Sequence, residues 1–311
     1  VIETPYGWLV HPGEYKLDPV GGGPSAAEEE NYKIFDKAKV LLLMADSTNI
    51  ENPGFSIPEG EVHKSLEFLV RETAGRLIIG LFASQLQRII KVIEVAEKYG
   101  RKVVVEGRSM KVNLEVAKLI GMLKAKKGTI IAGQDIDKYP DNKILVLATG
   151  AQGEEYAALM RMSTQNIKYL QIKKGDTVVL SSSIIPGNER TVQRLKDNIA
   201  RQGAKIVHYR SAEMFIHSSG HGNRGELEWL HKKVKPKFFI PIHGYHHMLR
   251  LHQDLAVELG LPEKNIVVPD NGMVIEIFDR GRKSAARGKV ANKIVMVDGL
   301  GAGDVEEVVI R

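Results

Sequence analysis

Short apolar runs alternate with amphipathic stretches through most of the chain. Residues 40–44, 77–82 and 144–148 are apolar and of strand length, and several similar runs follow them. Between them, as in residues 59–71 and 85–99, apolar positions recur with a period of about 3.6. This alternation predicts an α/β fold whose sheet is mostly parallel and covered by helices.

Both ends of the chain have a different pattern. Residues 1–4 and 8–11 read as two strands joined by a turn, and a strand-like run ends at His243. Residues 266–268 and 273–278 are predicted to pair around Asn271-Gly272, and the basic stretch 280–293 is predicted to be a surface loop or a linker. The pattern therefore predicts a β-rich layer built from both ends, with an α/β domain inserted between them.

Composition limits the possible sites. The 311 residues, 43% of them hydrophobic, are enough for about two domains. The chain has neither a membrane-length apolar run nor a signal-peptide pattern, which predicts a cytoplasmic protein. It has no cysteine, so a metal would rely on histidine and carboxylate ligands, a set more typical of catalytic than of structural sites.

The charge pattern permits an anionic partner without requiring one. The formal net charge is +6, and the basic residues are spread along the sequence. The chain opens with Val1 and closes on a strand-like Val-Val-Ile-Arg, which predicts that the sequence is a fragment.

Two histidines end apolar runs 22 residues apart, His221 and His243. Imidazole binds zinc and titrates near neutral pH, so two such groups in one cleft could hold a metal and transfer a proton. Either histidine alone fits an ordinary hydrogen-bonded residue better than a functional one, because histidine is often buried without a chemical role.

Three further polar residues follow apolar runs. Asp46 precedes Ser-Thr-Asn, Glu14 follows a glycine, and Ser84 lies in Phe-Ala-Ser-Gln. Reactive groups collect at the ends of such strands, but Asp46 also fits a turn or helix cap, and Glu14 fits a solvent-facing turn.

Eight segments in order carry a family resemblance. They are LMADSTN at 43–49, FASQL at 82–86, VEGRSM at 105–110, ATGAQGE at 148–154, IPGNE at 185–189, HSSGH at 217–221, KPKFFIPIHG at 235–244 and VDGLGAGD at 297–304. With them the chain resembles the ribonuclease J family, in the β-CASP branch of the metallo-β-lactamase superfamily. The resemblance implies a partial metallo-β-lactamase αββα core, residues 1–50 and 213–311, with an inserted β-CASP parallel α/β domain at 51–212.

The resemblance implies a metal-dependent ribonuclease that hydrolyses RNA phosphodiester bonds in RNA processing and decay, as a 5′-to-3′ exonuclease, an endonuclease or both. Asp46 is similar to the family's motif A acid, His221 to motif B and His243 to motif C, a metal ligand. Two metal ions would activate water, His221 would protonate the leaving oxygen, and Asp46 would orient His221. Zinc is the expected ion and manganese the alternative.

The resemblance also implies a substrate pocket and an assembly. Ser84, His217, Ser219 and Gly220 are similar to the family's nucleotide-phosphate pocket, where loop amides would suit an anion. The expected partner is single-stranded RNA with a 5′-monophosphate. The intact protein is expected to be a homodimer or homotetramer.

Two departures from the family pattern change what is expected of the metal site and of the activity of this chain. The family's His-x-His-x-Asp-His motif and its next histidine have no counterpart here, so an incomplete metal site and an inactive fragment are expected. Glu14 stands where the family has a metal-bridging aspartate, and its extra methylene shifts the carboxylate by about 1.5 Å. The family's C-terminal domain is also absent from the sequence.

Two alternatives stay open at this stage. A catalytically impaired RNA-binding β-CASP protein would account for Glu14 and the missing ligands. A metallo-β-lactamase-type hydrolase of small substrates is the third possibility. The inserted domain and the Asp46/His221 pair argue against it, because small-substrate members need neither.

Overall fold

The computed structural model describes residues 1–185, 187–209, 214–292, 296–298 and 301–303. The chain forms two compact units, an outer unit of Val1–Ser56 and Gly220–Arg311 and an inner unit of Ile57–Ser219. These units divide the chain six to seven residues later than the predicted domain boundaries at 50/51 and 212/213, and the second of those boundaries lies outside the described residues.

The outer unit begins with a hairpin and a buried strand. Strand β1 (Ile2–Thr4) pairs antiparallel with β2 (Gly7–Val10) across a two-residue turn, as the sequence predicts. Helix α1 (Ala26–Asn31) starts at a capping box between Ser25 and Glu28, and a 3₁₀ helix follows at Tyr32–Asp36. Strand β3 (Val40–Asp46) then runs parallel to β2.

The inner unit is a six-stranded, all-parallel sheet covered by helices. Its elements in chain order are α2 (Glu59–Glu72), β4 (Leu77–Gly80), α3 (Leu86–Lys98), β5 (Lys102–Glu106), α4 (Arg108–Leu119), β6 (Ile130–Ile131), two 3₁₀ helices (Gly133–Lys138 and Asp141–Lys143), β7 (Ile144–Ala148), α5 (Ala158–Ser163), β8 (Thr177–Leu180), α6 (Glu189–Arg201) and β9 (Lys205–His208). The strand order is β6-β5-β7-β4-β8-β9. The predicted parallel, helix-covered sheet is confirmed.

Side-chain alternation explains why both faces of this sheet are covered. Leu77 and Ile79 pack with residues of α2, α3 and α4, whereas Ile78 between them packs with residues of α5 and α6. Because both faces are buried, the strands read as continuous apolar runs instead of alternating ones. Gly100, with φ +68°, ends the turn after α3, a conformation that favours glycine.

The outer unit resumes after the inner one. It contains α7 (Arg224–Val234), β10 (Phe238–Ile242), α8 (His246–Glu258), a 3₁₀ helix (Glu263–Asn265), β11 (Met273–Phe278), β12 (Lys283–Lys289), β13 (Met296–Asp298) and β14 (Gly301–Gly303). Strand β10 adds parallel to β3 and completes the sheet β1-β2-β3-β10. Leu43 and Phe239 face residues of α7 and α8, while Leu42 and Ile240 face Ile275 and Ile277 of β11.

The predicted pairing near the C-terminal end is wrong. Residues 273–278 pair with β12, not with 266–268, and Ile266 forms only an isolated bridge to Phe239. The stretch predicted as a loop therefore contains a strand. The turn between β11 and β12 uses positive φ at Asp279, Arg280 and Gly281, and β12 is small, basic and exposed, so it lacks the apolar signal of a strand. Residues 293–295 and 304–311 lie outside the described residues.

Within the residues that the structure describes, no helix combines the length and the apolar character needed to cross a bilayer.

Candidate metal and acid/base site

The ends of two neighbouring strands bring Asp46 and His243 together. Asp46 is the last residue of β3, and the register of the parallel pair places Ile242 of β10 opposite it. His243 is the next residue along the chain. Its Nδ1 atom lies 3.4 Å from Oδ1 of Asp46. Parallel strands end at the same edge of a sheet, so this edge collects both polar side chains.

His221 reaches the same carboxylate from the loop before α7. Its Nδ1 lies 2.5 Å from Oδ2 of Asp46, whose side chain is buried with 3% of its surface exposed. The loop is held because Asn49 Nδ2 donates to the carbonyl of His221 at 2.9 Å. The rings of His221 and His243 stack with their centroids 5.1 Å apart.

Thr48 links the members of this cluster. Its backbone N–H donates to Oδ1 of Asp46 at 2.9 Å, which is the turn that Asp-Ser-Thr-Asn predicts. Its hydroxyl lies 2.7 Å from the same oxygen and 2.9 Å from Nδ1 of His243. The turn predicted at Asp46 is therefore formed, and the same carboxylate also contacts His221 and lies near His243.

His243 adopts an uncommon backbone conformation. Its φ is +57°, in the left-handed region that costs a non-glycine residue about 1 kcal/mol or more. The Thr48 hydroxyl lies 2.9 Å from the carbonyl of His243, and the Ser47 N–H donates to it at 3.4 Å. This conformation turns the chain at the end of β10 and leaves the ring of His243 beside Asp46.

The carboxylate and the imidazole change each other's titration. Burial alone would raise the pKa of Asp46, but hydrogen bonds with His221 and Thr48 together hold that pKa below its usual value. The hydrogen bond with Asp46 raises the pKa of His221 against the opposing effect of its own burial. The pair therefore favours a charged carboxylate beside a protonated imidazole.

Three residues of this cluster could hold a metal ion. One ligand atom from each of Asp46, His221 and His243 lies within 4.8 Å of the others. Glu14, on the loop after β2, adds a carboxylate oxygen 3.7 Å from Nε2 of His243. In a tetrahedral zinc site with bonds of about 2.0–2.2 Å, two ligand atoms lie about 3.5 Å apart, so a pair near the 4.8 Å limit would have to move closer by about 1 Å on binding. The nitrogen and oxygen donors suit zinc or manganese.

Three buried polar side chains form a hydrogen-bonded row behind the Asp46/His221/His243 cluster, and the sequence did not predict it. The hydroxyl of Ser47, a fully buried residue, lies 2.9 Å from Nδ1 of His252, whose Nε2 lies 3.2 Å from Nε2 of His231. Burial lowers the pKa of His231 to about 4. Burial, followed by the effect of His231, lowers the pKa of His252 well below its usual value. Both imidazoles are therefore neutral near pH 7, and one must donate to the other.

The sequence contains only a weak signal for this row of hydrogen-bonded side chains. His231 lies on the apolar face of α7 with Leu227, Leu230 and Val234, and a histidine on such a face indicates burial. Nothing local to α7 or α8 tells which polar atom each histidine meets.

The residues predicted to bind a phosphate fall in both units. Ser84, His217 and Ser219 belong to the inner unit, and Gly220 opens the second segment of the outer unit. Ser84 is exposed in the turn before α3, and His217 is buried with Nδ1 3.2 Å from Nη1 of Arg88 on the first turns of α3. Ser84 and His217 therefore both lie at the N-terminal end of α3. Gly220 is exposed, and a side chain there would meet no atom within 4 Å.

Arg88 is a second feature that sequence reasoning missed. This arginine is almost fully buried and makes two bonds to Glu59, at 2.5 and 2.7 Å. The same guanidinium lies near Ser181 and His217. A buried charge needs such pairing, so Glu59 and Arg88 together hold His217 in place.

Family comparisons agree with the two units. The family profile described as "Ribonuclease J, beta-CASP domain" matches residues 74–199, inside the inner unit. A second, described as "Zn-dependent metallo-hydrolase RNA specificity domain", matches residues 205–269, which include His217, His221 and His243.

Curated relatives match almost the whole chain. Ribonuclease J of Corynebacterium glutamicum is 36% identical over 307 residues, which are 98% of this chain and 42% of that protein. Ribonuclease J2 of Bacillus subtilis is 34% identical over 310 residues, 100% of this chain and 55% of that protein. Ribonuclease J of Thermus thermophilus is 36% identical over 307 residues, 99% of this chain and 53% of that protein. The chain spans about half the length of these relatives.

A solved structure supports the fold alone. The crystal structure of a protein of unknown function from Enterococcus faecalis V583 has a TM-score of 0.56 and 16% identity, and the match covers 92% of this chain and 59% of that one. The parallel α/β inner unit, the two family profiles and the identities over nearly the full chain agree with one another. This chain belongs to the ribonuclease J family, and its fold is that of the metallo-β-lactamase superfamily with a β-CASP domain.

Proposed function

We propose that this chain carries part of the active site of a metal-dependent ribonuclease that hydrolyses phosphodiester bonds of single-stranded RNA. The observation that supports it is the convergence of Asp46, His221 and His243 at the ends of β3 and β10. These are the side chains that the family resemblance assigns to acid/base work and metal binding. The ribonuclease names of the relatives point to the same reaction.

The proposed roles follow from the contacts. The hydrogen bond to Asp46 fixes Nδ1 of His221, so Nε2 is the nitrogen that would pass a proton to the leaving oxygen. The raised pKa of His221 favours the protonated form that an acid needs near neutral pH. Asp46 orients the ring and stabilises its positive charge, as the carboxylate does in other carboxylate–histidine pairs.

His243 and Glu14 are the proposed metal ligands of this chain. Nδ1 of His243 faces the Thr48 hydroxyl, which leaves Nε2, the atom beside Glu14, directed toward an ion. The chemistry that bound divalent ions supply in such sites is an activated water and neutralisation of charge on the phosphate. A two-ion site needs ligands beyond those present here. Zinc is the ion we propose, with manganese as the alternative.

The inner unit would receive the end of the RNA. Ser84, His217 and Ser219 of this unit form the proposed pocket for a 5′-monophosphate, and Arg88 and Glu59 support His217 from behind. The backbone at Gly220 is proposed separately, as an anion-binding segment of the outer unit. Such a pocket would favour 5′-to-3′ trimming, with internal cleavage when a strand enters without its end. We place this activity in RNA processing and decay in the cytoplasm, in a homodimer or homotetramer.

One observation supports a second candidate, an RNA-binding protein with impaired hydrolysis. By the family resemblance Glu14 stands where a metal-bridging aspartate is expected, and its side chain is 62% exposed. Geometry at metal sites must hold within about 0.5 Å, so a longer and exposed carboxylate could bind an ion without supporting turnover.

The test uses the protein expressed from its complete reading frame. Hydrolysis of 5′-monophosphorylated single-stranded RNA would be measured with Zn²⁺ or Mn²⁺, alongside RNA binding. We expect His243→Ala and Asp46→Asn each to abolish hydrolysis. His247→Ala is the matched control, because His247 is exposed and, among the described residues, contacts Glu51 and the ring of Tyr245 but none of the cluster.

The outcomes separate the candidates. Full activity in His243→Ala would exclude the proposed site. Binding of RNA without hydrolysis by the unaltered protein would support the second candidate instead.

A further inference from the structure

The positive charge of this protein is concentrated in one unit. Residues 57–219 contain 26 lysines and arginines against 17 aspartates and glutamates, a net charge of +9. The remaining residues contain 18 against 21, a net charge of −3. The overall value of +6 hides this difference. A field of one sign over a domain attracts polyanions, so the inner unit is where an additional anionic partner would bind.

Within the inner unit, helix α6 presents a row of arginines. Arg190, Arg194 and Arg201 are spaced by four and seven residues, which places them on one face of a helix with 3.6 residues per turn. All three are exposed, whereas Val192, Leu195 and Ile199 on the opposite face are buried. We call these three residues the α6 arginine face.

These guanidinium groups are available for a ligand. Among the described residues, none of the three has a hydrogen bond or an ion pair, and the nearest acid on the same face, Asp197, accepts from Gln193 at 3.2 Å. By contrast, Arg76 is buried against Asp176 in the same unit. The arginines of α6 therefore do not serve the fold through charge pairing within the described part of the chain.

The chemistry of the α6 arginine face fits a phosphodiester backbone. A guanidinium binds phosphate through two parallel hydrogen bonds, and it is always charged. The row spans about 16 Å at 1.5 Å per residue, long enough to contact more than one phosphate of a strand. Gln193, Asn198 and Asp197 line the same open depression as the arginines. The two amides add neutral donors, and the three arginines outnumber the one acid, a lining that suits sequence-independent binding of phosphates.

We propose that the α6 arginine face is a second RNA-binding surface, which contacts the phosphate backbone of the substrate outside the Asp46/His221/His243 cluster. This inference rests on the proposed function, because it takes RNA to be the ligand of the protein. An anionic lipid surface would offer similar charge, but the family comparisons favour RNA.

The test measures RNA binding by the unaltered protein and by a triple variant, Arg190→Gln/Arg194→Gln/Arg201→Gln. A labelled single-stranded RNA of about 30 nucleotides would be titrated in EDTA at several salt concentrations, so that binding is recorded without turnover. Each lost phosphate contact lowers the slope of log K against log salt by about 0.7 for single strands. We expect the slope to fall by about 2 and the affinity to fall at least tenfold at low salt.

A matched control removes the same charge elsewhere. Lys118, Lys124 and Lys127 are exposed residues of the same unit, and their triple change to glutamine also subtracts three charges. We expect this control to leave the salt slope within about 0.5 of the unaltered protein. A variant with lysine at all three arginine positions should recover part of the affinity, because the charge returns without the two-bond geometry.

Four results would overturn the inference. Equal losses in the arginine variant and the lysine control would mean that only the overall field matters. Normal RNA binding by the arginine variant, with loss of binding to vesicles of anionic phospholipid, would assign the face to a membrane. Absence of RNA binding and of hydrolysis in the unaltered protein would remove the proposed function and this inference together, whereas hydrolysis with an unchanged salt slope in the arginine variant would remove the inference alone. Circular dichroism and thermal unfolding would confirm that each variant is folded.

Discussion

The Nδ1 atom of His221 lies 2.5 Å from Oδ2 of Asp46, a residue 175 positions earlier in the chain. The strand β3 supplies the carboxylate and the loop before α7 supplies the imidazole, and Asn49 holds that loop through the carbonyl of His221. Most of the site chemistry proposed for this chain depends on this one pair.

Asp46→Asn should lower the pKa of His221 in the metal-free protein. The hydrogen bond and charge of Asp46 raise that pKa, and the amide supplies neither a negative charge nor a comparable acceptor. NMR titration of the imidazole resonances would measure the change. Below pH of about 6.5, and as long as Asp46 stays ionised, the pair should stabilise the metal-free protein fully; that contribution is lost as pH rises through the raised pKa of His221, and again as pH falls through the lowered pKa of Asp46. An unchanged pKa in the variant would contradict the contact.

His231→Gln should make the outer unit less sensitive to acid. The pKa of His231 is about 4 when folded, well below its ordinary value, so falling pH protonates the unfolded chain first and stability is lost between about pH 6.5 and 4. At pH 5 the loss from this group is about 2 kcal/mol, and glutamine cannot titrate.

Tryptophan fluorescence suits the measurement on His231. Both tryptophans, Trp8 and Trp229, lie in the outer unit, so urea unfolding followed by this signal reports on that unit. The difference in unfolding free energy between pH 7.5 and pH 5 should be smaller in His231→Gln. His247→Gln, at an exposed position, should keep the full difference. Identical pH dependence in all three proteins would refute the assignment.

Thr48→Val should weaken metal binding while leaving the fold intact. The hydroxyl contacts both Asp46 and His243, and loss of a partner behind a ligand commonly costs 10- to 100-fold in metal affinity. Thr48→Ser keeps the hydroxyl and should stay within a few-fold of the unaltered protein. Competition with a chromogenic zinc chelator, using protein from the complete reading frame, would provide the affinities. Equal affinity in the valine and serine variants would show that Thr48 does not position the ligands.

Glu14→Asp should raise hydrolysis by the protein from the complete reading frame. The shorter side chain withdraws the carboxylate by about 1.5 Å, to the reach of the family's bridging residue. The turnover number and the number of metal ions bound per chain should both increase, whereas Glu14→Gln should lower both. Lower turnover in Glu14→Asp would show that the loop after β2 has adapted to glutamate.

Much of the inner unit could be predicted from sequence because its signals are local. Each buried strand is a short apolar run, each helix has its own apolar stripe, and neighbours within a few residues determine both. Strand β12 was not predicted, because nothing in its own residues indicates a strand. Its residues are small, basic and exposed, so its pairing depends on the turn at Asp279–Gly281 and on β11, not on its own composition.

The sequence by itself determined which residue types are available and the family to which the motifs around Asp46, His221 and His243 belong. Only the tertiary structure decided that these three meet, that Thr48 joins them, that His231 and His252 are buried behind Ser47, and that the positive charge belongs to the inner unit. The physical reason is the distance along the chain over which each kind of interaction acts. Periodicity and turn chemistry act over a few residues, whereas the register of β3 against β10 and the burial of a single histidine depend on packing between segments about 200 positions apart.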